Sequence, residues 1–138
     1  AATGYTEPQV RIAAETDKLA AFLSAWYAEH KTSAEHSIFV GYSNGANMIL
    51  ATLLRHPALI HAAALLHPMM VFEAPSISLT GKSMLVTYGD RDPYMPPGEG
   101  QRVASTLSGL GAHVETFSHP GGHELTHEER QTLLKFLT

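Results

Sequence analysis

Between about Glu7 and His30, apolar residues recur at helical spacing: Ile12, Leu19, Phe22, Leu23 and Trp26 alternate with Arg11, Glu15, Lys18 and Glu29. The pattern predicts an amphipathic helix with those apolar residues on its inner side. Ser37–Val40 is a short β-branched and aromatic run that stops at Gly41, as a buried strand would. From Asn44 to Arg55, the small residues Gly45 and Ala46 precede Met48, Ile49, Leu50, Leu53 and Leu54, which predicts a buried helix. That helix must end before Pro57, because a residue preceding proline avoids helical geometry. His61–Leu66 fits strand or helix by pattern alone, and its shortness and the stop at Pro68 favour a strand.

Ser83–Tyr88 is a clearer strand, closed by Gly89. From about Gly98 to Leu110, Val103, Ala104, Leu107 and Leu110 share one helical face, with Gly109 and Gly111 as C-terminal stops. Val114–Phe117 reads as a strand, and Thr126-x-x-Glu129 is a capping box that opens a last helix carrying Leu133, Leu134, Phe136 and Leu137. Strands and helices that alternate in this way predict an α/β chain: a three-layer parallel sheet flanked by helices, one domain over residues 1–138, with right-handed crossovers. The Pro- and Gly-rich stretch 94–100 reads as a loop. Ligands of such sheets sit at the carboxyl ends of the strands, so chemistry is sought in the residues that follow each strand.

Composition narrows the function classes. The 138 residues are 44% hydrophobic and 16% charged, ordinary for a folded domain. Nine basic against 13 acidic residues give a net charge of −4, which argues against nucleic acid as a partner. There is no cysteine, which excludes a disulfide framework, a thiolate metal site and a cysteine nucleophile. No apolar run reaches the roughly 18 residues of a membrane span. Ala1-Ala2-Thr3-Gly4 is neither a signal peptide nor an initiator start, so a processed or excised chain is expected. The lack of a signal and of cysteine points to the cytoplasm. No cofactor is indicated.

Gly41-Tyr42-Ser43-Asn44-Gly45 matches Gly-x-Ser-x-Gly between a strand and a helix. In that setting the serine occupies a sharp, strained turn that lifts its hydroxyl above the sheet, and its neighbours two positions away are expected to need no side chain. The backbone N–H of Asn44 can then face a developing oxyanion at the start of a helix. A serine hydroxyl needs a base. His123, in His119-Pro120-Gly121-Gly122-His123, lies after a strand at the proper edge, with His67 and His119 as rivals there. His61 and His113 fall near strand starts, and His127 falls in the first turn of the last helix. The base needs an orienting carboxylate, and only Asp90 and Asp92 follow the serine as aspartates. Either gives the chain order Ser, Asp, His, and composition does not choose between them. His119, His123 and His127 are spaced by four, but Pro120-Gly121-Gly122 interrupts any helix across them, which argues against a zinc site.

Four stretches together resemble the C-terminal part of the phospholipase/carboxylesterase family of α/β-hydrolases, the small bacterial carboxylesterases related to acyl-protein thioesterases. They are GYSNGAN (41–47), LLHPMM (65–70), GDRDPYMP (89–96) and HPGGHELT (119–126). The resemblance implies a truncated α/β-hydrolase fold. It also implies a serine carboxylesterase acting on small esters or thioesters, with Ser43 as nucleophile, His123 as base, Asp92 as acid and the Asn44 N–H in the oxyanion hole. Asp90 is then a turn former. Tyr42, Met69, Met70 and Tyr94, with Val71 and Phe72, flank the elbow or follow strands and are expected to line a substrate pocket.

The family fold also has strands and a loop ahead of the first helix here, and that loop supplies a second oxyanion donor. Without them, the strand at Ser37–Val40 becomes an exposed edge and one sheet face lacks a covering helix. The expected partners are therefore a small ester substrate and, along that edge, a second copy or an N-terminal segment. A chain with half an oxyanion hole could also be a binding or assembly module without turnover.

Overall fold

The structure, a computed structural model, describes residues 4–138; Ala1–Thr3, read above as part of an atypical start, lie outside the described residues. It consists of α1 (Glu7–Glu29), β1 (Ile38–Tyr42), α2 (Asn44–Arg55), β2 (Ala62–Leu66), β3 (Ser83–Gly89), α3 (Glu99–Gly109), β4 (His113–His119) and α4 (His127–Leu137), with single 3-10 turns at Ala34–His36 and Pro57–Leu59. The four strands form one parallel sheet in the order β1-β2-β3-β4. The α/β architecture expected from the sequence is the one observed.

β1 and β4 run further than their apolar runs suggest. β1 continues through Gly41 and Tyr42, and β4 takes in His113 and His119. The cause is the ladder itself: backbone pairing with β2 and β3 extends past the last β-favouring side chain. β2 and β3 are parallel neighbours joined without a helix. Residues 67–82 cross as coil, with Leu79 fully buried and Ile77 packed on the main core.

The core is unequal on the two faces. α2 and α3 press Leu50, Leu53, Val103 and Leu107 onto Ala63, Leu65, Met84 and Val86. On the other face α4 brings Leu133 and Phe136 to Ala64, Leu66 and Leu85. Ile38, Val40 and Tyr42 are in register with Ala62, Ala64 and Leu66 and so share α4's face. They are 45%, 46% and 39% exposed, because α4 does not extend over β1.

α1 departs from its sequence pattern in one respect. Its buried stripe is Ala13, Thr16, Ala20 and Leu23, and small residues there let it lie close against α2. Phe22 and Trp26, expected on the inner side, are exposed, since a stripe through 13, 16, 20 and 23 leaves them off its line. They line an apolar groove of about 280 Å³ with Ile38 and Phe39 of the edge strand. Trp26 stacks on His30 there, ring centroids 3.7 Å apart.

Leu53 is wholly buried beneath α2 in the larger core. Leu53→Ala is expected to cost about 2–5 kcal/mol, read as a lower urea midpoint at an unchanged denaturant slope.

Candidate active site

Parallel register brings the strand ends together. The Ser43 N–H donates to the Leu66 carbonyl (2.9 Å), the His67 N–H to the Thr87 carbonyl (2.9 Å) and the Asp90 N–H to the His119 carbonyl (2.8 Å). Each strand's last residues thus hand one hydrogen bond to the next strand. Residues far apart in sequence are thereby fixed along one rim.

Ser43 sits at the turn from β1 into α2 with φ +56 and ψ −118, a backbone that L-residues rarely adopt. The turn closes tightly on Gly41, where an added Cβ would come 2.6 Å from the Gly45 carbonyl carbon. The two flanking glycines are not equivalent. A Cβ on Gly45 would meet nothing within 4 Å among the described residues, so the expectation that both must lack a side chain holds for Gly41 alone. Asn44 opens α2, and its backbone N–H makes no hydrogen bond among the described residues. A helix start leaves such donors free for an anion.

The Ser43 Oγ lies 2.8 Å from Nε2 of His123, and His123 Nδ1 lies 2.5 Å from Oδ2 of Asp92. The structure therefore brings Ser43, His123 and Asp92 into one hydrogen-bonded row. Asp90 is exposed and its side chain takes no part. Asp92 is buried and its other oxygen, Oδ1, accepts from the Tyr94 N–H (2.9 Å). Burial opposes charge on Asp92, but hydrogen bonds from His123, His67 and the Tyr94 N–H outweigh it and hold its pKa below the usual 3.8. The His123 loop approaches β3 closely: a Cβ on Gly89 would collide with the Gly122 carbonyl oxygen.

Of the residues expected to line a pocket, Met69 and Tyr94 join Ser43, Asn44, Asn47 and His123 around a cleft of about 450 Å³. Met70 and Val71 instead line an adjoining, more apolar cavity of about 450 Å³ with Ile12 and Met48. The two cavities share Asn44, Asn47 and Met69. Tyr42 is not among the residues lining either. Its hydroxyl donates to the His123 carbonyl oxygen (2.5 Å), so it braces the loop that carries the imidazole. Phe72 is buried against Ala13 and Ala51 and lines neither of these cavities. The Met69–Met70 segment is pinned from two sides: its N–H groups donate to Asn47 Oδ1 (2.6 Å) and Glu99 Oε2 (2.8 Å).

Behind Asp92 lies a buried ionic cluster that sequence reasoning missed. His67 Nδ1 lies 3.1 Å from Asp92 Oδ2, and His67 Nε2 lies 2.9 Å from Glu129 Oε2. Thr87 donates its hydroxyl to the same Glu129 oxygen (2.8 Å). His119 accepts the Gly121 N–H at Nδ1, which places its own proton on Nε2, 3.0 Å from Glu129 Oε1 but out of line for a hydrogen bond. Burial disfavours a charged His67, yet bonding to both carboxylates prevails and raises its pKa above 6.5. Burial likewise opposes charge on Glu129, and hydrogen bonds from His67, Thr87 and Thr126 nonetheless lower its pKa. Two trios, His67–Asp92–His123 and His67–His119–Glu129, have the donor proximity of a metal site. In both trios the carboxylates are already engaged: Asp92 Oδ2 by His67 and His123, and Glu129 Oε2 by His67 and Thr87. His119, His123 and His127 form no common cluster, since they fall at the end of β4, in a loop and at the start of α4.

A signal for this cluster was present in the sequence. Glu129, Leu133 and Phe136 are spaced as one helical face, so the capping-box glutamate lies on the apolar stripe of α4 rather than on its wet side. Its Oε1 accepts the Thr126 N–H (3.1 Å) while Oε2 serves His67. Folding stability should consequently fall at both ends of the pH scale. The Asp92 and Glu129 contributions are complete above their unfolded values near 3.8 and 4.5, and are lost as pH drops through the lower folded-state values. The His67 contribution is complete below its unfolded value near 6.5 and is lost as pH rises through its higher folded-state value. Urea midpoints measured from acid to alkaline pH are expected to peak between these limits.

With this geometry in view, comparison with known proteins gives a consistent picture. Residues 3–138 match the Phospholipase/Carboxylesterase family model. A carboxylesterase from Mesorhizobium loti is 33% identical with a TM-score of 0.84, the match covering 94% of this chain and 62% of that one. The Bacillus cereus carboxylesterase is 27% identical with a TM-score of 0.87, covering 96% and 63%. The protein Atu2452 of unknown function from Agrobacterium tumefaciens is 33% identical with a TM-score of 0.87, covering 99% and 66%. The chain thus spans a little under two thirds of the length of these relatives. No helix among the described residues is long and apolar enough to cross a membrane. The sheet of four parallel strands, the helices on its two faces and the match along nearly the whole sequence lead to one conclusion: this chain belongs to the phospholipase/carboxylesterase family and has a truncated α/β-hydrolase fold.

Proposed function

We propose that the chain is a serine carboxylesterase that hydrolyses small carboxylic esters or thioesters through Ser43, His123 and Asp92. The observation that carries this reading is the unbroken row from the Ser43 hydroxyl through His123 to the buried Asp92 carboxylate, at the floor of an open cleft. His123 Nε2 takes the Ser43 proton as Oγ attacks the carbonyl carbon. The carbonyl oxygen becomes an oxyanion facing the Asn44 N–H, and the resemblance puts the second donor on a segment outside this sequence. Collapse of the tetrahedral intermediate breaks the bond to the alcohol or thiol, which leaves with the proton from His123. A water, deprotonated by His123, then attacks the acyl-enzyme; the acyl–Oγ bond breaks, His123 returns its proton to Ser43 Oγ, and the acid is released. Asp92 holds the Nδ1–H tautomer throughout.

The shared border at Asn44, Asn47 and Met69 allows a division of the substrate. The Met48–Met70 cavity suits the more apolar half and the Tyr94 side suits the more polar half.

A fluorophosphonate probe is expected to label Ser43 in the wild type and to fail in His123→Ala. Asp92→Asn should lower kcat/KM for a short-chain aryl ester by about 10⁴, whereas Asp90→Asn leaves it within a few-fold. Wild-type protein that is folded but unlabelled would favour the reading as a binding or assembly module.

We also propose that the free edge of β1 and the Phe22–Trp26 groove are covered by further polypeptide of the kind that makes up the remaining third of the relatives' length, rather than by a second copy. Unpaired strand groups beside exposed apolar side chains form an unstable boundary in water. Light scattering and native mass spectrometry of the protein from its source should find these residues with additional polypeptide. A strict monomer of this length overturns the proposal, and a mass of two copies puts a second copy on the edge instead.

A further inference from the structure

The Ser43–His123–Asp92 row accounts for only part of the buried polar machinery at this rim. Asp92 Oδ2 is shared by two histidines, His123 at 2.5 Å and His67 at 3.1 Å. His67 has a wholly buried side chain, and both its ring nitrogens are on carboxylate oxygens. With Asp92 and Glu129 both ionised, as their lowered pKa values favour, the carboxylates only accept, and protons on both nitrogens make the ring an imidazolium. His67 also has φ +56, a strained backbone for a residue that is not glycine, at the end of β2 just as Ser43 is at the end of β1. Neither feature is explained by packing alone, since an apolar side chain would fill the same space without a buried charge.

Resting on the serine-hydrolase reading, we infer that His67 is a positioning residue for that chemistry. It is a buried cation clamped between Asp92 and Glu129 that fixes the Asp92 carboxylate and sets the lower pH limit at which His123 can act as a base. The ring centroids of His67 and His123 are 5.2 Å apart, with the planes nearly perpendicular. A fixed positive charge at that distance, itself buried, opposes a second positive charge on His123. It leaves the attraction of Asp92 to orient the imidazole without also over-stabilising its protonated form.

The other groups facing the pair do not provide this charge. Around His67 stand Tyr42, its ring centroid 5.7 Å away, Thr87 as a donor to Glu129, and His119, whose accepted N–H at Nδ1 makes it neutral. Around His123 stand the Ser43 hydroxyl, the Tyr42 hydroxyl on its carbonyl and the Tyr94 ring at 4.9 Å. Glu124, the next residue, is exposed and turned to the Gly122 N–H. Burial first, then Asp92, Glu129 and Glu124, keep the Tyr42 phenol protonated to higher pH than usual, so it adds no charge. Glu129 is the counter-ion that lets His67 stay charged, and it acts through His67 without facing the cleft.

Two measurements test this. Long-range 15N–1H spectra of the wild-type imidazoles should show one histidine, absent from His67→Gln, with both nitrogens protonated at pH 7. The rate of Ser43 phosphonylation by a fluorophosphonate, followed against pH, should have its acid limb moved to higher pH in His67→Gln and in Glu129→Gln. The expected loss at pH 6 is roughly tenfold greater than the loss on the alkaline plateau. A purely structural role would lower the whole profile without moving its limb. A wild-type His67 that is neutral at pH 7, or variants whose limb does not move, would overturn the inference. If both variants fail to fold, the wild-type spectrum decides. If wild-type Ser43 is not labelled at all, the serine-hydrolase reading fails, and with it the role assigned to His67, whatever the spectrum shows of its charge.

Discussion

A single carboxylate oxygen, Oδ2 of Asp92, holds the rim of this sheet together. It is buried, and it meets His123 from the loop after β4 and His67 from the end of β2. A buried anion is tolerable only when its lone pairs are answered, and here Oδ1 takes the Tyr94 N–H while Oδ2 takes two imidazoles. Removing either histidine would leave charge unanswered in a dry place. The arrangement therefore ties β2, the loop after β3 and the loop after β4 into one polar unit, and Glu129 extends it to α4 through His67, Thr87 and Thr126.

That unit depends on the backbone ladder beneath it. Parallel pairing sets Tyr42 beside Leu66, Leu66 beside Thr87, and Gly89 beside His119. A slip of one residue in any pair would turn His67 or the His123 loop toward the other face. Close approach does the rest. Gly41 lets the elbow fold back on Gly45, and Gly89 lets the Gly121–Gly122 turn sit against the end of β3. The strained residues, Ser43 and His67, fall where two strands end at this rim, and the packed layers of α2 and α4 hold them there.

Pattern and punctuation together located the elements that make the sheet: β2, a continuous apolar run, fits strand or helix by pattern, and its shortness and the stop at Pro68 mark it as a strand. The limits of β1 and β4 were less legible, since pairing rather than side-chain preference extends them to Tyr42 and His119. The inner side of α1 was misjudged at Phe22 and Trp26 because counting large apolar residues overlooks a stripe of Ala and Thr that packs more closely. In the site, Ser43, His123 and Asp92 could be placed on one edge by chain order and motif, but Asp92 could be preferred to Asp90 only through resemblance. Tyr42 could not be read at all: nothing in a sequence tells that a tyrosine hydroxyl will reach a carbonyl 81 positions away. Glu129 was hidden by its other role, since a capping box already explains a glutamate at that position.

The two ends of the sheet differ in kind, and the difference bears on how the rim can work. The interior strands β2 and β3 are covered on both faces, and His67 and Asp92, in the segments that follow them, are buried. Among the described residues β1 is covered on one face only and pairs with β2 alone, yet it leads into Ser43. The fixed charges thus follow the interior strands and the nucleophile follows an edge strand. What steadies Ser43 is local: the hydrogen bond from its N–H to Leu66, the contact of Gly41 with Gly45, and the bond from Tyr42 to the His123 carbonyl. The Tyr42 bond spans from β1 to the base's own loop, so movement of the unsupported strand carries the His123 loop with it. Nucleophile and base are coupled by backbone and phenol as well as by the Oγ–Nε2 contact, while Asp92 stays anchored behind them in the covered part of the sheet.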